Sequence, residues 1–147
     1  MNKKSIYIVE DNQVYAKSLQ TFIRSRFTGP LDIRLFSIGE TCLLDMHNKP
    51  DVVIMDYYLN SKYEKADNGL NIINQIKTTR PDTNIIVLSA QENDAIISEA
   101  IKHCYCNYVQ KDDGAFNKVE ALLIEIFKEK NKRLAGLLPD PDNFHDN

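Results

Sequence analysis

Apolar residues fall along this chain in two patterns, short unbroken runs and helical spacing, and the two alternate. Ile6-Tyr7-Ile8-Val9, Val52-Val53-Ile54-Met55 and Ile85-Ile86-Val87-Leu88 are rich in β-branched residues and show no polar face, as strands covered on both sides require. Leu31 to Phe36 alternates apolar with polar residues instead, the mark of a strand at a sheet edge. Cys104 to Val109, mixed in polarity, predicts a fifth strand.

Helical spacing fills the intervals. Phe116, Val119, Leu123, Ile126 and Phe127 share one face of a segment whose other face carries Glu120, Glu125, Lys128 and Glu129. A second helix runs from about Gln13 to Phe27, with Leu19, Phe22 and Ile23 inward, and stops before Gly29-Pro30. Weaker periodicity covers roughly Glu40 to His47, Leu70 to Thr79 and Asp94 to Lys102. Five alternations of strand and helix predict an α/β fold with right-handed crossovers. With Leu31 to Phe36 at an edge, the expected architecture is a single doubly wound five-stranded parallel sheet of flavodoxin-like order 2-1-3-4-5. Two prolines and several acids after Lys132 end the regular pattern, so residues 1–132 form the expected domain and 133–147 a flexible tail.

Composition narrows the function. A chain of 147 residues, 43% apolar and 27% charged, suits one full-sized core. A formal net charge of -3 leaves no basic field for neutralising nucleic-acid phosphates, so no direct nucleic-acid contact is expected. Cys42, Cys104 and Cys106 make an odd set without a CxxC pair, and are expected to be reduced, mostly buried thiols. The basic start, Met1 to Ser5, precedes an apolar stretch too short for a signal peptide, and no segment approaches membrane-spanning length. A cytoplasmic protein without membrane contact is the expectation.

Ligands of open α/β sheets bind beyond the carboxyl ends of the strands, where the winding reverses. Strand one ends in Glu10-Asp11, strand three in Asp56, strand four in Ser89-Ala90, and strand five just before Lys111. Three carboxylates at one rim repel each other unless something positive joins them. Magnesium, which takes a few carboxylates and keeps waters for a phosphate oxygen to replace, meets that need. Lys111 adds an ammonium, and Ser89 a hydroxyl with a neighbouring amide. Such a set surrounds the place where charge builds on a transferring phosphoryl group. A carboxylate can be the nucleophile, and Asp56 on the middle strand is the best placed.

From about Lys4 to Lys130 the sequence resembles a response-regulator receiver domain of two-component signalling, of the CheY-like superfamily. The likeness rests on Glu10-Asp11 after strand one, on Asp56 within Val-Val-Ile-Met-Asp-Tyr-Tyr-Leu, on Gly69 opening the third helix, on Ser89-Ala90, and on Tyr-Val-Gln-Lys ending at Lys111. The resemblance implies that a sensor histidine kinase or phosphotransfer protein passes a phosphoryl group to Asp56. Glu10, Asp11, Asp56 and the Tyr58 backbone carbonyl would hold Mg2+. Ser89, Ala90, Lys111 and the Tyr57 backbone amide would bind the phosphate. Ser89 and Tyr108 would form the switch, and Tyr58 and Gln91 would modulate hydrolysis. The response would pass to a downstream protein, and to a weak phosphorylation-dependent dimer, through the face made by the fourth helix, fifth strand and last helix. No catalysis beyond the protein's own phosphorylation and dephosphorylation is implied.

Two features depart from the family pattern. Asp112 follows Lys111 where many receivers have a proline after a cis bond. A cis bond before a non-proline residue costs about 2.5–4 kcal/mol, so either that strain is tolerated or a trans bond lets Lys111 reach the site differently. Asp112 or Asp113 is also a candidate cap for the last helix. The stretch from Tyr57 to Asn68 is longer than usual and lacks the customary proline; it is read as a solvated loop, or as a contact for a kinase or target through Lys62, Tyr63, Glu64 and Lys65. A receiver excised from a longer regulator is the nearest alternative. A magnesium-dependent phosphohydrolase with an aspartyl nucleophile is another, though Tyr58 stands where its usual second aspartate would be. A flavodoxin would want a phosphate loop where Glu10-Asp11-Asn12 stands. No ligand role falls to His47, His103 or His145.

Overall fold

The unbroken apolar runs are buried because helices cover them from both sides. The computed structural model describes residues 3–58, 69–90, 102, 104 and 106–139. In it the strands are β1 (Lys4–Val9), β2 (Leu31–Phe36), β3 (Val52–Asp56), β4 (Asn84–Ser89) and β5 (Asn107–Gln110). Four helices accompany them among the described residues: α1 (Gln13–Arg26), α2 (Gly39–Asp45), α3 (Gly69–Thr79) and α4 (Ala115–Leu134), with a 3-10 turn over Met46–Asn48. All strand pairs are parallel, in the order β2-β1-β3-β4-β5. The expected topology is therefore the observed one, with the three apolar runs innermost.

Strand alternation divides the core into two layers. Ile6, Ile8, Ile54, Ile86 and Leu88 face α1 and α4, where they meet Leu19, Ile23, Val119, Leu123 and Phe127. Tyr7, Val9, Val53, Met55, Ile85 and Val87 face the other way, against Cys42, Met46, Ile72, Ile73 and Ile76. Every residue of β3 is buried, which accounts for its lack of any polar position before Asp56.

Local signals set the ends. The Asn12 side chain accepts the Tyr15 N–H at 3.1 Å and starts α1 immediately after Glu10-Asp11. The helix stops at Arg26; Gly29 then takes φ of 90°, and the Pro30 carbonyl accepts the Lys4 N–H at 3.1 Å, leading into β2. Asp112 supplies the turn before α4, its Oδ1 accepting the Gly114 N–H at 2.9 Å.

The structure departs from the sequence reading in three places. β5 begins at Asn107, three residues later than expected, since Cys104 still has helical backbone. Cys104 and Cys106 are joined as a disulfide with their Cα atoms 5.4 Å apart, so the expectation of reduced thiols holds only for Cys42. Burial pushes the Cys42 thiol up to about 12, leaving it unreactive at neutral pH. α4 continues to Leu134, two residues past the expected end of the domain at Lys132, and Lys132 and Arg133 complement its carboxyl end. The predicted helix from Asp94 lies outside the described residues apart from Lys102, as do residues 59–68 and 140–147. Among the described residues no helix is long and apolar enough to cross a membrane.

Ile54 lies at the centre of the sheet and is fully buried. Ile54→Ala should lower stability by about 2–5 kcal/mol, seen as a fall in the urea midpoint with unchanged slope; an unchanged midpoint would contradict this packing.

Candidate functional site

Register brings the candidate side chains to one rim. Val9 pairs with Met55 across β1 and β3, so Glu10 and Asp56 leave adjacent strands side by side. Asp56 pairs with Leu88, which sets Ser89 one residue beyond it on β4. Ser89 pairs with Gln110, and its carbonyl accepts the Lys111 N–H at 2.7 Å, so Lys111 leaves β5 at the same height. The described backbone contains no cis peptide, so Lys111-Asp112 is trans, which settles the open alternative.

From there the Lys111 side chain spans the rim. Its Nζ lies 2.6 Å from Glu10 Oε1 and 3.2 Å from Asp56 Oδ2. Glu10 is 3% exposed, Asp56 8% and Ser89 0%, so the polar rim sits at the edge of the core and is not part of the open surface. Oxygens of Glu10, Asp11 and Asp56 lie within 4.8 Å of one another, close to the roughly 4 Å between opposite oxygens around magnesium.

One ammonium is too little positive charge for three carboxylates. Burial first, and then the neighbouring Asp56 carboxyl, push the Glu10 carboxyl up to about 8 in spite of Lys111. Burial by itself would lower the Lys111 ammonium, but the two carboxylates outweigh it and hold it above its ordinary range. Glu10 Oε2 is buried without a hydrogen-bond partner. An orphaned carboxylate oxygen beside two further carboxylates is a donor set that a hard divalent cation fits: Glu10, Asp11 and Asp56 could hold it.

The neighbouring residues are placed as follows. Tyr58 N–H donates to Asp56 Oδ1 at 3.1 Å. The Tyr57 amide, expected at the phosphate, donates instead to the Leu88 carbonyl at 2.9 Å, because strand pairing continues one residue past Asp56. The amide that faces the carboxylate is thus that of Tyr58. Gly69 lies so close that an added β-carbon would collide with the Tyr57 carbonyl oxygen, which explains a glycine where α3 opens. Ala90 is exposed beside buried Ser89. Tyr108, opposite Val87, is 39% exposed. Gln91 lies outside the described residues. Tyr15 was not singled out from the sequence, yet Lys111 Nζ sits over its ring at 4.5 Å from the centroid. Its place in the first helical turn after the acid pair was the available signal.

A family model described as the response regulator receiver domain matches residues 6–122. No curated protein gives a match. Solved structures do match. A CheY-like response regulator receiver domain protein from Methanospirillum hungatei has a TM-score of 0.73 at 14% identity, over 89% of this chain and 99% of that one. The BeF3-activated DrrB receiver domain has 0.71 at 22%, covering 86% and 99%. The Mn2+-bound form of response regulator Rcp1 has 0.66 at 17%, covering 81% and 91%. At such identities these likenesses speak for the fold.

The Glu10 shift has a consequence for stability. Without divalent cations, folded protein keeps a proton on Glu10 between about 4.5 and about 8 that the unfolded chain releases. Folding then binds protons, so stability in EDTA should fall as pH rises from 5 to 8. Glu10→Gln should flatten that slope, and millimolar Mg2+ should offset the fall. Urea titrations across this range check it; a slope unchanged by Glu10→Gln would contradict the assignment.

Proposed function

The chain belongs to the response regulator receiver domain family, and from that premise we propose that Asp56 is a phosphoacceptor that switches the surface of this domain. The supporting observation is the Asp56 carboxylate itself: it ends the middle strand, with Lys111 at one oxygen and the Tyr58 amide at the other. The donor is the phosphohistidine of a sensor histidine kinase or phosphotransfer protein, met in the cytoplasm. A carboxylate oxygen of Asp56 bonds to phosphorus as the phosphorus–nitrogen bond breaks, and the donor imidazole leaves with a proton.

Each neighbour has a task in that transfer. Glu10, Asp11, Asp56 and the Tyr58 carbonyl hold Mg2+, which supplies positive charge for the phosphoryl oxygens. Lys111 turns from the carboxylates to those oxygens. The Ser89 hydroxyl and the amides of Ala90 and Tyr58 complete the cradle, and Ala90, lacking bulk, leaves the phosphate open to water. Tyr58 and Gln91 tune the rate of hydrolysis. As Ser89 closes on the phosphate, Tyr108 turns inward from its exposed position, and the face of β5, α4 and the chain between β4 and β5 changes. That face is read by a downstream protein, or by a second copy in a weak dimer.

Acetyl phosphate with Mg2+ should add one phosphoryl group to the protein by mass spectrometry, and Asp56→Asn should add none. Equal labelling of the variant would show that another residue is the acceptor. Lys111→Ala should label more slowly yet bind Mg2+ at least as tightly, since its ammonium competes for Glu10 and Asp56. Weaker Mg2+ binding in calorimetry would argue for a purely structural lysine.

A further inference from the structure

Lys111 has three partners, and one of them is not an acid. Its ammonium touches Glu10 and Asp56 and lies over the ring of Tyr15. Tyr15 is held firmly in that place. The Asn12 cap binds its backbone, and Phe116 of α4 meets its ring edge-on, centroids 5.4 Å apart at 71°. Phe116 is in turn braced by Phe22 at 5.3 Å. The Tyr15 hydroxyl is buried without a hydrogen-bond partner. The ring is therefore positioned by its aromatic contacts and the helix cap, with no tether at its polar end.

We propose that Tyr15 is a positioning residue whose ring retains the Lys111 ammonium at the rim when a divalent cation takes over the carboxylates. Glu10 and Asp56 are both the carboxyl partners of Lys111 and two of the three acids grouped for a cation. A cation bound there withdraws both from Lys111 and repels its like charge. Of the contacts seen, the Tyr15 ring alone survives that exchange, because its attraction comes from the electron-rich face and needs no carboxylate. A lysine with only 15% side-chain exposure and no such platform would turn outward to water. With it, the ammonium stays within reach of phosphoryl oxygens arriving at Asp56. This rests on the phosphoacceptor reading, in which Lys111 meets the phosphate.

Two readouts test it. In Mg2+-saturated protein, before any phosphodonor is added, the Lys111 ε-methylene protons should keep an upfield ring-current shift. Tyr15→Phe should preserve that shift and Tyr15→Leu should lose it. A wild-type shift that collapses on adding Mg2+ overturns the proposal, whether or not Asp56 is phosphorylated. The second readout is the labelling rate with acetyl phosphate at saturating Mg2+. Tyr15→Leu should slow it by about twofold to thirtyfold, the range expected of a cation over a ring, and Tyr15→Phe should restore it. In a Lys111→Met background the leucine variant should cause no further loss. An equal loss in that background, or a parallel loss of Mg2+ affinity in Tyr15→Leu, would show that the ring supports the fold and does not act through Lys111. A wild type that keeps the shift but takes no label would sink the phosphoacceptor reading and leave the contact standing.

Discussion

Two buried carboxyl groups and a half-buried third crowd one rim that holds a single ammonium, and the rest of the site follows from that imbalance. Lys111 bridges Glu10 and Asp56, but one oxygen of Glu10 stays buried and unpartnered, and its proton is held to about pH 8. Such a rim is stable only in part. A divalent cation would relieve the repulsion and would release Lys111 from both carboxylates. The same excess of negative charge thus suits the rim to a metal.

The fold makes this arrangement unavoidable. β1 and β3 are neighbours in register, so Glu10, one residue past β1, and Asp56, the last residue of β3, must meet. β5 lies two strands from β3, so the group that reaches across needs a long side chain, and lysine is long enough. Behind the rim, apolar layers of the described residues pack on both sheet faces. The strand ends are less enclosed: the Tyr57-Tyr58 turn lies against Gly69, and Ala90 and Tyr108 are exposed.

Much of this was legible in the sequence, for identifiable reasons. Unbroken runs such as Val52 to Met55 can only be strands covered twice, and the alternation of Leu31 to Phe36 marks an edge, so strand order followed from polarity. Glu10, Asp11, Asp56 and Lys111 were legible because each stands at the carboxyl end of a strand. What escaped depended on contacts that no local pattern encodes. The Tyr57 amide is expected at the phosphate, but β3 and β4 pair one residue further than the apolar run shows, and it is the Tyr58 amide that faces the Asp56 carboxylate. The start of β5 was misplaced because Cys104 to Cys106 reads as extended chain while Cys104 still has helical backbone. Nothing in the sequence singles out Tyr15; only the meeting of α1, α4 and Lys111 gives it a partner.

The central claim is that the acids ending β1 and β3 are built to share one cation. Paramagnetic broadening by Mn2+ in a two-dimensional amide spectrum reads this directly, residue by residue. At low Mn2+ the signals of Glu10, Asp11, Asp56, Tyr57 and Tyr58 should vanish first and excess Mg2+ should restore them, while the opposite ends of the strands stay sharp. Broadening centred elsewhere, or none at these strand ends, would contradict it.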